Sequence, residues 1–249
     1  MIKALLTRRA WLFRNRLIPN LFIYFLLPFT IFAMIGLPLK NIIRFSITKV
    51  PYDVWVFPGL IFILSSILIF PSLYREFFTL RFHGNALANI TLSPHRKINI
   101  IFSNLIASIL ESIIFSILTS LIYIYITKMI FNLLNIFFLL VCLVIFLLLV
   151  GNLFITIFLI LDTLSIVLLS SGIIYLYIIF GNGLIIETSF FPNGISEILE
   201  IMPFSLVFKQ FQIFNSIGII NFQIFIILLT LIYFWILLNG FLLKRKMSQ

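Results

Sequence analysis

The stretch MIFNLLNIFFLLVCLVIFLLLVGNLFITIFLIL, residues 129–161, carries no charged side chain and decides the fold class. As a helix it exceeds the roughly 20 residues that cross a hydrocarbon core. Tilt, or a bend near Gly151 and Asn152, would absorb the excess length. Similar apolar runs recur along the chain, which is 63% hydrophobic and 10% charged, whereas soluble domains average about 25% charged residues. The sequence therefore predicts a polytopic all-α membrane protein.

Six apolar runs predict six transmembrane helices within one transmembrane domain over residues 1–249. Their predicted bounds are Leu17 to Leu39, Val54 to Leu73, Ile98 to Thr127, Met129 to about Leu161, Leu164 to Phe180, and Ile219 to Leu243.

The distribution of basic residues predicts the orientation of these helices. Twelve of the 17 Lys and Arg lie in the N-terminal segment, the loop after the second run and the C-terminal tail. Because Lys and Arg concentrate on the cytoplasmic side, we expect both termini and this loop to lie inside. The net charge of +10 is then explained by orientation and contact with anionic membrane lipid, so no nucleic-acid partner is expected.

Residues 1–16 are predicted to form an interfacial helix on the inner membrane surface. One face of this helix is apolar and carries Ile2, Leu6, Ala10, Phe13 and Leu17. Arg8 and Arg14 lie off this face, and Arg9 and Arg16 fall near its edge. A disordered basic tail is the alternative.

Residues 181–213 contain GNGLIIETSFFPNGISEILEIMPFSLVFKQF, which is apolar but broken by glycine and proline. Irregular backbone is tolerated at membrane depth only where it packs on protein or lines a wet cavity. We therefore predict an outer re-entrant hairpin. An ordinary outer loop with a short amphipathic helix is the alternative.

The sequence offers little for catalysis. It has no phosphate-binding G-x-x-x-x-G-K-[ST] motif, no nucleophile–base pattern and no carboxylate pair at metal-ligand spacing. We expect no catalytic residue, no metal and no cofactor in this chain. Transport or assembly is the expected class of function.

Glu111 lies close to the middle of the third predicted span. A charge there costs about 2.5–3.5 kcal/mol on insertion scales, so the side chain should face protein or water. It is either a pathway residue or a packing residue. Packing is favoured because small polar residues recur every fourth position on the same helix, at Asn104, Ser108, Ser112, Ser116 and Ser120.

Asp162 is the carboxylate at the end of the fourth span. A carboxylate at the start of a helix can accept backbone N–H bonds and favours the positive end of the helix dipole. We therefore predict that Asp162 caps the fifth helix.

The loop after the second span, YREFFTLRFHGNALANITLSPHRK at residues 74–97, is the longest polar stretch. Gly84 breaks it, and Pro94 ends a short predicted helix, ALANITL, on which Leu87 and Ile90 share one side. Basic residues flank this helix. The pattern is typical of a docking element, and a solvated turn beside anionic lipid is the alternative.

Three segments carry a family resemblance. They are VPYDVWVFPGLIF (50–62), Tyr74-Arg75-Glu76 followed by GNALANITLSPHRKINII (84–101), and TSFFPNGISEILEIMPFSLVFKQF (188–211). In their order and spacing across six spans they resemble the ATP-binding-cassette type-2 permease family, the membrane subunits of bacterial drug and polysaccharide exporters.

The resemblance implies a mechanism. Two six-span subunits would pair as a homodimer, and each would dock on a separate ATPase subunit that binds ATP and magnesium. The first, second and fifth spans would line or gate the path, in a bacterial inner membrane or an organellar membrane of bacterial descent. Residues 74–97 would be the coupling loop, with contacts from Glu76, Gly84, Leu87, Ile90 and Pro94.

Two other functions remain open from the sequence. One is a haem-exporter-like permease of cytochrome c maturation. The other is an ion-coupled carrier that uses Glu111 as its proton site. The cargo of an exporter is open as well, because a wide apolar path suits a lipid-linked glycan or an amphipathic drug.

Overall fold

The computed structural model describes residues 2–15, 17–43, 51–82, 96–127 and 132–247. Most of the predicted coupling loop lies outside the described residues, including Gly84, Leu87, Ile90 and Pro94. Every element in the described ranges is helical, and no β-strand occurs among them. The prediction of an all-α chain is therefore confirmed for these residues.

Nine α-helices, numbered in chain order, account for most of the described part of the chain. They are α1 (Ile2–Asn15), α2 (Leu17–Ile42), α3 (Tyr52–Tyr74, continuing to Phe82), α4 (Lys97–Thr127), α5 (Leu133–Ile160), α6 (Leu164–Phe180), α7 (Asn193–Ile201), α8 (Pro203–Ile217) and α9 (Phe222–Met247). A π-helical turn occurs within α2 at Phe32–Gly36 and within α3 at Arg75–Thr79.

Five of these helices, α2, α3, α4, α5 and α9, are long and apolar enough to cross a membrane. Helix α6 is also apolar but has only 17 residues. Helix α5 is one uninterrupted helix of 28 residues that runs through Gly151 and Asn152. The described helices are compatible with a multi-pass α-helical membrane protein.

Helix α3 is the centre of the bundle. In its apolar part 78% of the residues are buried, against 11% in α2, which lies at the periphery. Helix α3 packs between α4 and α5, and α9 packs against the same two helices. Most of the side chains of α3 are apolar, and a helix that is apolar on most sides can be surrounded by other helices.

The segment between α6 and α7 is held against the start of α3. Gly59 makes this approach possible, because a Cβ atom there would lie 2.0 Å from the carbonyl oxygen of Leu184. The Tyr52 hydroxyl donates to the carbonyl of Ile185 at 3.0 Å. Two contacts on α3, at Tyr52 and at Gly59, therefore fix the irregular segment to the bundle.

We predict that Gly59→Ala lowers the thermal unfolding midpoint of the purified protein in detergent. The added methyl group would collide with backbone, and overpacking of this kind costs about 1–3 kcal/mol. Gly172→Ala on α6 is the matched control, because a Cβ there meets nothing within 4 Å. Equal midpoints for the two variants would contradict the close approach at Gly59.

Candidate functional site: an arginine–carboxylate clamp

Helix α1 packs against α4 and uses an arginine in the contact. The helix predicted at the N-terminus is present, but its inward face differs from the predicted one. Arg9 is buried, whereas Ala10, which was assigned to the apolar face, is exposed. The other residues of the inward face, all partly buried, are Ile2, Leu5, Leu6, Leu12 and Phe13.

Arg9 is 5% exposed and is held by polar groups of α4. Its Nη1 donates to the Ser108 hydroxyl at 2.9 Å and to Glu111 Oε2 at 3.3 Å. Its Nη2 donates to the carbonyl of Asn104 at 3.4 Å. Burial lowers the pKa of Arg9, and the charge of Glu111 opposes that effect. The pair therefore joins a cation taken out of water to a counter-ion that is partly exposed.

Helix α3 completes the surroundings of Glu111. The Ser72 hydroxyl donates to Glu111 Oε2 at 3.1 Å and lies 3.1 Å from the Ser108 hydroxyl. The sequence presented Glu111 as a lone charge in a span. In the structure it shares a polar network with one residue of α1, one of α3 and one of its own helix.

A second arginine pair lies one helical turn along α3. Glu76 is 2% exposed and lies in the π-helical turn Arg75–Thr79. It accepts a hydrogen bond from Arg8 Nη2, and Arg75 Nε lies 3.4 Å from the same oxygen. We call Arg8, Arg9, Glu76 and Glu111 the arginine–carboxylate clamp, because α1 supplies both cations while α3 and α4 supply one carboxylate each.

The small polar ridge predicted on α4 faces the bundle. Four of its five members are at most 4% exposed, namely Asn104, Ser108, Ser112 and Ser116. The α3–α4 contact is the most extensive helix pair in the bundle. Small side chains allow this close packing because they let helix backbones approach.

Arg81 joins three helix ends beside the clamp. It donates to the carbonyls of Phe158 at 3.0 Å and Leu161 at 2.7 Å, which a helix C-terminus leaves without intrahelical partners. It also pairs with Asp162 Oδ1 at 2.8 Å. Lys246 of α9 lies 2.9 Å from Asp162 Oδ2. Helices α3, α5 and α9 are therefore tied together at this end.

The prediction that Asp162 caps α6 is wrong. Thr163 is the N-cap residue of α6, and no side chain caps that terminus. The carboxylate serves Arg81 and Lys246 instead. The hydrogen bond from Lys246, and then the charge of Arg81, hold the pKa of Asp162 below its ordinary value.

A third polar cluster joins α5 to α9. The Asn239 amide nitrogen lies 3.1 Å from both the carbonyl and the side-chain oxygen of Asn152. The Thr156 hydroxyl donates to Asn239 Oδ1 at 2.7 Å and lies 2.9 Å from Trp235 Nε1. Sequence reasoning treated Asn152 only as a possible bend. The available signal was a second asparagine in another apolar run.

A cavity of about 290 Å³ lies at the opposite end of the bundle. The aromatic rings of Trp55 and Phe208 line the cavity. Glu200 and Lys209 also line it, and their side chains form an ion pair at 2.7 Å. Thr188 donates to Glu200 at 3.3 Å. The cavity between the segment after α6 and the start of α3 is therefore lined by polar as well as apolar side chains.

Among the predicted site residues that the structure describes, Glu76 and Glu111 both belong to the clamp. No group of three or more His, Cys, Asp or Glu in the described ranges is arranged to hold a metal ion. Sequence reasoning missed Arg8 and Arg9 as partners of these carboxylates. The signal was two adjacent arginines beside an apolar helix face, in a chain with two carboxylates close to apolar runs.

Comparisons with known proteins give no relative: no family model, no curated protein and no solved structure matches the chain.

We predict that Arg9→Gln lowers the free energy of unfolding by about 2 kcal/mol, because it leaves Glu111 without its cation. This loss is smaller than the roughly 3–5 kcal/mol expected when a fully buried pair is broken. The Glu111 side chain is 35% exposed and is partly stabilised by solvent. Arg14→Gln, an exposed change on the same helix, should alter stability by less than about 0.5 kcal/mol.

Denaturant unfolding would measure the coupling energy between Arg9 and Glu111. The variants compared are Arg9→Gln, Glu111→Gln and the double variant, with Arg14→Gln as the control. Additive losses would show that Arg9 and Glu111 do not interact.

We predict that Asp162 contributes acid-sensitive stability. Its pKa is lowered in the folded protein, so the ionised form stabilises the fold above the ordinary pKa of about 3.9, and this stability is lost as pH falls towards the lowered value. Asp162→Asn should therefore unfold more easily at neutral pH and lose less stability on acidification. Glu197→Gln, at an exposed position on α7, is the control. An acid profile for Asp162→Asn identical to that of the unaltered protein would disprove the contribution.

Proposed function

We propose that this chain is the membrane-spanning permease subunit of an ATP-binding-cassette exporter. Two copies would form the translocation path, and a separate ATPase subunit would drive each. ATP and magnesium would bind to that partner and not to this chain.

The clamp is the observation that carries the proposal. Residues 83–95 connect α3 to α4, and Glu76 and Glu111 lie on those two helices. Arg8 and Arg9 of α1 bind both carboxylates. A force applied to the connection would therefore act on α1, α3 and α4 together. This arrangement suits a partner that delivers motion from the side of residues 83–95.

The contacts of Arg81 extend the same mechanical unit. Arg81 is the second-last residue of α3 and binds the end of α5, while Lys246 of α9 shares Asp162. Motion at the end of α3 would thus reach α5 and α9 without crossing a flexible segment. A permease that is driven by a separate subunit requires a rigid transmission of this kind. Bound ATP shifts the conformational equilibrium of the permease only through contacts that differ between its two conformations.

Helix α6 is proposed as a further span, the fifth of six in chain order. Its 17 residues rise about 26 Å, close to the hydrocarbon thickness of the thinner natural bilayers. Tyr175 on α6 donates to the carbonyl of Ser66 at 3.0 Å, and its ring contacts Phe70 and Phe154. With six spans both termini and residues 83–95 share the inner side, as the basic residues predict.

Residues 181–213 are proposed as the outer re-entrant segment. Helix α8 has seven buried residues and packs on α5. Phe208 on α8 contacts Trp55 and Phe62 of α3. Packing on protein is the condition under which irregular backbone is tolerated at membrane depth.

Glu111 fits a positioning role in this scheme. Arg9 and Ser72 already bind its carboxylate, which favours a positioning group over the proton site of a carrier. Transport that survives ATP depletion and fails in Glu111→Gln would overturn the exporter proposal in favour of the carrier.

The direct test is affinity capture of the tagged chain from its native membrane, followed by assay for ATP hydrolysis and sequencing of the captured ATPase. We predict that an ATP-binding-cassette subunit is captured and that Leu87→Asp with Ile90→Asp reduces its recovery at least tenfold. The matched control is Ile195→Asp with Ile198→Asp, which adds the same charges at exposed positions of α7.

An ATPase that stays attached to the Leu87/Ile90 variant would disprove the docking assignment. Cargo movement by the purified chain in vesicles without any ATPase would disprove the proposed function.

A further inference from the structure

The outward face of α1 forms a shallow depression. Of the residues that line it, only Arg8 belongs to the clamp. Five residues line it: Lys3, Ala4, Thr7, Arg8 and Trp11. Residues three, four and seven apart lie on one side of a helix, so these five form a continuous patch. The patch lies opposite the face that contains Arg9, which packs on α4.

The patch carries uncompensated positive charge. Glu76 is the carboxylate that Arg8 and Arg75 share, so two guanidinium groups meet one carboxylate there. Lys3, at the rim of the depression, adds a further cation. The surface therefore favours an anion.

Arg8 has a hydrogen-bond donor to spare. Its side chain is 38% exposed, and among the described groups its hydrogen-bond partner is Glu76, which its Nη2 contacts. A guanidinium carries five N–H donors in a planar fork that matches phosphate oxygens. Ala4, one turn before Arg8, also lines the depression, and its side chain is a single methyl group.

The position of the patch specifies the kind of anion. Helix α1 ends at Asn15, and the apolar span α2 begins at Leu17. The outward face of α1 therefore lies beside the boundary of the hydrocarbon. Trp11 on this face is 63% exposed, and tryptophan side chains concentrate at the level of lipid headgroups.

We infer that this depression binds the phosphate of an anionic phospholipid, with Lys3 and Arg8 on the phosphate and Trp11 at the headgroup level. Arg8 then bridges Glu76 and the lipid, so the bound lipid orders one half of the clamp. A lipid that binds only the folded protein stabilises it by mass action. The inference holds whether or not an ATPase drives the protein.

The test is thermal unfolding of the full chain in a neutral detergent, titrated with phosphatidylglycerol, with phosphatidylcholine and with inorganic phosphate. The unfolding midpoint should rise with phosphatidylglycerol and much less with the other two. In Lys3→Gln the concentration of phosphatidylglycerol for half the shift should increase about fivefold, the effect of one cationic side chain beside an anionic surface.

Arg14→Gln is the matched control, because Arg14 is an exposed cation on the same helix and does not line the depression. Its titration should follow that of the unaltered protein. Equal weakening in Lys3→Gln and Arg14→Gln would overturn the site in favour of diffuse surface charge. An equal shift with inorganic phosphate would replace the lipid by a free anion, and equal shifts with both lipids would disprove headgroup selection.

Discussion

The buried guanidinium of Arg9 constrains the position of the N-terminal helix. A cation removed from water at the edge of an apolar bundle requires a counter-ion and further hydrogen bonds. Glu111, Ser108 and the carbonyl of Asn104 provide them, all on one stretch of α4. Helix α1 must therefore lie across α4 at this level, and Arg8, the residue before Arg9, reaches Glu76 of α3. Contacts with two helices make α1 part of the bundle instead of a separate tail.

Polar contacts at three places connect helices that are distant in sequence. The clamp joins α1 to α3 and α4, Arg81 with Asp162 and Lys246 joins α3, α5 and α9, and Asn152 with Asn239 joins α5 to α9. Lipid chains are as apolar as leucine, so apolar burial alone does not bring helices together in a membrane. Close packing at small residues and these hydrogen bonds supply the specificity, which explains why they coincide with the extensive helix contacts.

The apolar runs predicted the helices well because helix formation in lipid is a local requirement. Every backbone N–H and C=O must be satisfied within the segment, and the hydrocarbon thickness limits its length. Helix α5 at Leu133–Ile160 lies within the predicted run, and α6 at Leu164–Phe180 matches its predicted bounds. Single polar residues were harder to place. Asp162 was assigned to the nearest helix terminus, but its strongest partners, Arg81 and Lys246, are more than 80 positions away in sequence.

Composition and periodicity by themselves determined that the chain is helical and suited to a membrane, and that the N-terminal segment and α4 carry polar side chains on otherwise apolar surfaces. The tertiary structure alone decided which of those side chains meet: Arg9 with Glu111, Arg8 with Glu76, Asn152 with Asn239. The reason is physical. Backbone hydrogen bonding and helix periodicity act over a few residues, whereas a buried charge is stabilised by whichever counter-charge the packing of other helices brings within about 3–4 Å.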